Sequence, residues 1–503
     1  VRAPAAPLGR GAILTLAALA ACTPAEAPRR ASLRAPTPRA PRSYAFVLVD
    51  LGGGVDLSPE RARGRLLTDP DSLRSHVRAS SFGADDVTGE VFGPLRWSFA
   101  SGCDFAGLAN GLRAQVPGSF DHYLWYFGTR QDVCGWKGIA TVGTAQGPTR
   151  DTWLDATSSC LVLAQEPAHN FGLQHASALA CPHAPLLDDP NGCAGSEYGD
   201  VFDPMGVGCR HPNAWEKEYR GWLSGCNGVD VGASGTFTLL PLESRCDGVQ
   251  LLRIAAGAPR AFKRGAFGGL PAGTDPLTHY TVELRTPRDF DGTLGGEAAL
   301  APQVLIHVGA PRTPPTQAAT HTYLLDMNAD TPTLADAALP VGQTFIDPNG
   351  TVRITARAVS AARATIDVQL LRATAPSTCL DGRPFEAPGP GPESCEPDAT
   401  PMSVDASVDV DAEAPIQRMA DASDEAPTAP EPPTTDARAA SDVAARAVGA
   451  QGVPRVGCGC AAGGAARPTA LAPWGLAALA LAVTSRRRSS SSSRRPRPPR
   501  SPS

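Results

Sequence analysis

The stretch Gln165-Glu166-Pro167-Ala168-His169-Asn170-Phe171-Gly172-Leu173-Gln174-His175 constrains this chain more than any other. On a helix, Gln165 and His169 stand four residues apart and share a face, so both can point at one ion. Glu166 lies beside that face, where a carboxylate can take a proton from water. Gly172 can adopt the positive φ that ends a helix, and the chain can then bring His175 in from a third direction. Three ligands with one open position make the arrangement of a hydrolytic zinc site.

The stretch resembles the His-Glu-x-x-His-x-x-Gly-x-x-His signature of the metzincin zinc peptidases, which a methionine turn follows downstream. Every motif position matches except the first, where Gln165 stands in place of histidine. Glu197-Tyr198-Gly199-Asp200-Val201-Phe202-Asp203-Pro204-Met205-Gly206 then resembles the methionine turn of one branch, the gametolysin-like metallopeptidases. Asn213-Ala214 and Gly221-Trp222-Leu223 follow it as in that branch, and Cys134-Gly135-Trp136 with Gly138 matches its Cys-Gly-Trp element. The resemblance covers roughly residues 44 to 371. It implies a zinc-dependent endopeptidase that cleaves extracellular protein. Gln165, His169 and His175 would be the metal ligands, Glu166 the general base, and Met205 an apolar floor under the ion.

Two departures bear on activity. Glutamine offers a neutral amide oxygen, a weaker zinc ligand than imidazole nitrogen, so another divalent transition metal could take zinc's place. Some gametolysin-like members carry the same glutamine. Pro167 lacks an N–H and disfavours helical geometry at Glu166. It is harmless in the first turn of a helix starting near Ala164, but falls at the base itself if the helix starts at Ser158 or Ser159. Together, Gln165 and Pro167 support a competing reading, a catalytically inactive surface binding or adhesion protein that keeps the peptidase fold. His183 and His211 are candidates to replace the missing ligand.

The chain has 503 residues, enough for two or three domains, and a formal net charge of −5, which gives nucleic acid no basis as a partner. Of its 13 cysteines, Cys103, Cys134, Cys160, Cys181, Cys193, Cys209, Cys226 and Cys246 form an even set in the peptidase-like region, and Cys379 and Cys395 add two more. Even sets in an exported chain read as disulfides of an oxidising compartment, with connectivity left open. Nothing in the sequence sets an oligomeric state.

Read in order, residues 1–22 look like a bacterial lipoprotein signal. Leu19-Ala20-Ala21-Cys22 is similar to a lipobox, which makes Cys22 the lipidation site and places an acyl anchor in the outer membrane of a Gram-negative bacterium, with release from the cell as a further outcome. Residues 23–42 read as a Pro- and Arg-rich linker. Residues 43–226 read as the catalytic domain. Within it, residues 44–51 and 123–127 are apolar enough for buried strands, and 71–79 and 105–115 suit helices. Residues 227–371 carry short alternating strands at 235–240, 280–284, 304–308 and 351–355, expected to form an all-β sandwich. The expected fold class is therefore α+β, with His279, His307 and His321 as structural residues on strands. Glu197, Asp200 and Asp203 are open to calcium or to turn chemistry. Residues 372–457 read as an acidic, Pro/Ala-rich disordered stalk. Residues 458–488 combine Cys458 and Cys460, an apolar run shorter than the roughly 20 residues of a membrane span, and an arginine cluster. They resemble a myxobacterial C-terminal sorting tail, and residues 489–503 read as a disordered Ser/Arg tail.

Overall fold

Alternating residues of the first strand face two different cores, and the N-terminal half is built around that strand. β1 (Arg42–Asp50) sends Tyr44, Phe46 and Leu48 to one side and Ala45, Val47 and Val49 to the other. In a computed structural model, the described residues are 38–99, 102–128, 134, 136–154, 159–266, 271–372, 375–386 and 394–396. The readings for residues 1–37 and 397–503, including Cys22 and both anchoring signals, lie outside them.

After β1 come α1 (Pro59–Arg63), α2 (Leu73–Ser80), β2 (Val87–Arg96), α3 (Phe105–Leu112), β3 (His122–Tyr126), β4 (Gly138–Ala140), β5 (Asp151–Leu154), α4 (Cys160–Asn170), β6 (Ala176–Ala180), β7 (Ala194–Ser196) and α5 (Ala214–Tyr219). β1 to β5 form one sheet in the order β2-β1-β3-β5-β4, parallel except for β4, which is its outermost strand. Leu73 of α2 and Val162 and Leu163 of α4 pack on the Tyr44 face, and Leu108, Ala109 and Leu112 of α3 on the other. Helices therefore cover both faces, as buried parallel strands require.

The rest is β-rich: β8 (Gly228–Val231), β9 (Gly235–Leu239), β10 (Cys246–Asp247), β11 (Leu251–Arg264), β12 (Gly273–Arg285), β13 (Gln303–Gly309), β14 (Thr322–Leu325), β15 (Thr344–Ile346), β16 (Val352–Val359), β17 (Ala364–Leu370), β18 (Thr378–Cys379) and β19 (Ser394–Cys395). An eight-stranded sheet, β18-β8-β11-β12-β13-β14-β6-β7, and a four-stranded sheet, β15-β16-β17-β9, share one apolar core that includes Val282, Ile306, Ile354 and Ile366. The chain is thus mixed α/β and mostly strand, in several sheets. The larger sheet crosses the boundary expected at residue 226, because β6 and β7 form its edge and β6 runs parallel to β14, pairing Ala176 with Thr322.

Among the described residues there are five disulfides: Cys103–Cys134, Cys160–Cys209, Cys181–Cys193, Cys226–Cys379 and Cys246–Cys395. Cys379 and Cys395 each join a cysteine of the upstream set. The segment expected to begin a stalk at residue 372 is accordingly part of the fold over residues 375–386 and 394–396, where β18 pairs with β8 and β19 with β10. Among the described residues, no helix is long and apolar enough to cross a membrane.

Candidate active site

Gln165, Glu166 and His169 all lie on α4, whose N-cap is Ser159, so Pro167 sits inside the helix rather than in its first turn. The last turn is anchored from outside: His169 O accepts from Gly143 N at 3.0 Å and Asn170 O from Thr149 N at 2.8 Å. Asn170 Nδ2 adds bonds to Thr141 O at 2.9 Å and Asp151 O at 3.1 Å. These contacts satisfy carbonyls that a helix end leaves open and fix α4 to the sheet. Gly172 then turns the chain at φ 90°. A Cβ there would meet Tyr219 Oη at 2.6 Å and Gly143 O at 2.7 Å, so glycine is required by both conformation and space.

The turn brings His175 to His169, with ring centroids 4.9 Å apart. His169 Nδ1 donates to Leu173 O at 2.7 Å, which leaves Nε2 as the lone-pair nitrogen. His175 Nδ1 donates to Glu197 Oε1 at 2.7 Å, with the same result. Gln165 Nε2 donates to Gly206 O at 3.1 Å, which orients its amide and leaves the side-chain oxygen as an acceptor. Burial, with His175 as neighbour, lowers the His169 pKa to about 3; burial, with His321 as neighbour, does the same for His175. Both rings are therefore neutral, as metal ligation requires. Among the described residues, no three His, Cys, Asp or Glu side chains gather for an ion. The two imidazoles suit a zinc-type ion, and the Gln165 amide oxygen is the donor type that would complete a three-ligand set.

Glu166 is buried, and that burial raises its pKa to about 8. Gly138 of β4 packs directly on it: a Cβ at that position would lie 2.5 Å from Glu166 Cγ. The outermost strand of the first sheet thus runs beside the carboxyl group. Met205 is fully buried with Leu173, Ala176, Trp215 and Tyr219, and its carbonyl accepts from Ala176 N at 2.9 Å, next to His175.

Three contributors were not assigned to the site from sequence. Glu197 orients His175, Tyr198 lies tilted against that ring with centroids 4.2 Å apart, and His321 Nδ1 lies 3.2 Å from His175 O. Glu197 and Tyr198 open the stretch that resembles the methionine turn, and Glu197 also stood out as an acid open to calcium or turn chemistry, but neither signal pointed to His175. His321 comes from the residue before β14, and no local pattern marks it. The proposed replacement ligands stand elsewhere: His183 is exposed beside Asp330, and His211 is buried against Phe290. A cavity of about 510 Å³ opens on another face of α4, lined by Ala164, Pro167 and Ala168 with Tyr44, Arg220 and Trp222, away from Glu166 and both site histidines. In comparisons with family models and with curated proteins, the chain matches none.

Proposed function

We propose that this chain is a zinc-dependent endopeptidase of the gametolysin-like kind, with a metzincin-like catalytic half followed by a β-sandwich, exported and held at the cell surface. The observation that carries the reading is that His169 and His175 each have Nδ1 engaged by an acceptor while Gln165 and Glu166 share the helix of His169. Gln165, His169 and His175 would hold the metal, which when bound supplies Lewis acidity toward water and the scissile carbonyl. Glu166 takes the proton of the attacking water and returns it to the leaving amine. The outer edge of β4 offers backbone groups to an extended peptide, which an unpaired strand edge can bind by adding a strand. Gly138 brings that edge to the carboxyl group that moves the proton. The test is metal analysis of the purified full chain together with cleavage of unfolded protein. About one equivalent of transition metal is expected, and Glu166→Gln should lower turnover by on the order of 10²-fold or more while retaining the metal. A metal-free, inactive wild type removes the reading.

A second reading, a non-catalytic surface binding protein on the same fold, is favoured by Pro167 within α4 and by Gln165 in a histidine position. Restoring the first histidine separates the two. Under the second reading Gln165→His creates activity where none existed, and under the first it shifts metal preference in an enzyme already active.

A further inference from the structure

Asn213-Ala214-Trp215-Glu216 has the spacing of a capping box, in which the glutamate reaches back to the backbone N–H of the capping residue. Half of the box forms: Asn213 Oδ1 accepts from Glu216 N at 3.0 Å. The other half is taken by a different acid, because Asp203 Oδ2 accepts the Asn213 N–H at 2.7 Å. Asp203 Oδ1 meanwhile accepts Met205 N–H, also at 2.7 Å, so both of its oxygens hold backbone donors.

Glu216, deprived of that N–H, is left against Asp203, their side chains within hydrogen-bonding reach. It is 2% exposed, and its Oε2 meets no donor among the described residues. The surrounding charges offer no relief. Asp200 and Asp203 face it from the methionine turn, and Glu283 from β12 accepts Ala214 N at 2.6 Å. The nearby cations are committed to other groups: His307 to Asp200 at 2.8 Å, Arg285 to Asp291 at 2.6 Å, and Lys217 to Leu242 O at 2.8 Å. Two ionised carboxylates in that setting would be buried acceptors facing each other with no protein donor at Glu216 Oε2 among the described residues.

We infer that Glu216 is a neutral carboxylic acid and a positioning residue, whose O–H donates to Asp203 and thereby locks the methionine turn to α5. The donors decide which partner keeps the proton, since Asp203 has two N–H groups and Glu216 Oε2 has none. Burial, then Asp203 and Asp200, hold the Glu216 carboxyl well above its usual range. A carboxyl whose pKa is raised by folding stabilises the fold below its unfolded pKa, and that stability is lost as pH rises through the folded value.

The test uses the full chain and reads stability, so it does not depend on peptide cleavage. Wild-type melting temperature should fall on the order of 5 °C between about pH 6 and pH 9. Glu216→Gln keeps a donor toward Asp203 and should melt near wild type at the lower pH with a shallower decline, whereas Glu216→Ala should melt lower at both. The infrared difference between wild type and Glu216→Gln should contain a carboxylic-acid C=O band at neutral pH. A wild type whose melting temperature does not fall over that range overturns the inference without any variant. So does a difference spectrum lacking that band, or a stoichiometric calcium ion bound by wild type and lost in Glu216→Gln, since a cation would then occupy the proton's place.

Discussion

Beneath α4 the support is apolar: Leu124, Tyr126 and Leu154 of the first sheet pack with Val162 and Leu163 of the helix. Beneath the methionine turn it is ionic. Arg285, with no exposed surface, donates to Asp291 Oδ2 at 2.6 Å, Glu283 Oε1 at 3.1 Å and His211 O at 2.8 Å, and Glu283 in turn holds the start of α5. The two supports fail differently. Apolar contacts weaken in proportion to the surface removed, whereas a buried charge network stands or falls with each partner, because any group left unpaired keeps its full desolvation cost. The helix side can therefore absorb small changes, while the turn side fixes one geometry.

Arg285→Met should show the largest effect, a loss of about 3–5 kcal/mol in denaturant unfolding, because it strands Glu283 and Asp291 in a dry interior. Leu124→Val, which deletes one methylene from the apolar support, should cost only about 1 kcal/mol. The contrast breaks if the leucine change proves the costlier. Gly138→Ala acts within the site: its new methyl group displaces Glu166, so turnover should fall by on the order of 10²-fold with metal content and melting temperature close to wild type. Lost metal instead would mean that the damage spreads along α4 to Gln165 and His169. Glu197→Gln should be milder than Gly138→Ala, weakening metal affinity by roughly tenfold in competition titrations, since the amide still accepts from His175 but without a charge.

The sequence made the helix face legible, because Gln165, Glu166, His169 and the Gly172 turn obey local rules of spacing and backbone freedom. The alternating strands at residues 280–284, 304–308 and 351–355 were legible for the same reason: the first two lie within β12 and β13, and the third overlaps β16 from Val352. What escaped was long-range. No periodicity shows that the strand after His175 pairs with β14, or that His321 thereby comes to rest on the His175 carbonyl. The disulfide partners of Cys226 and Cys246 lie 153 and 149 residues away, beyond any local signal. Their cross-links also explain why residues 375–386 fold despite a stalk-like composition: covalent closure supplies what a thin apolar contribution does not. Asp203 and Glu216 read as turn and capping residues when taken separately. Only their meeting shows a carboxyl group without a donor.

The parallel pairing of β6 with β14 also orders events during biosynthesis. A chain made from its N-terminus completes α4 and His175 first, yet His321, whose ring meets the His175 carbonyl, emerges 146 residues later. Until then β6 lacks its parallel neighbour, although Glu197 is already present to hold the His175 ring. The topology thus leaves the strand after His175 without its β14 neighbour until most of the described fold has been made.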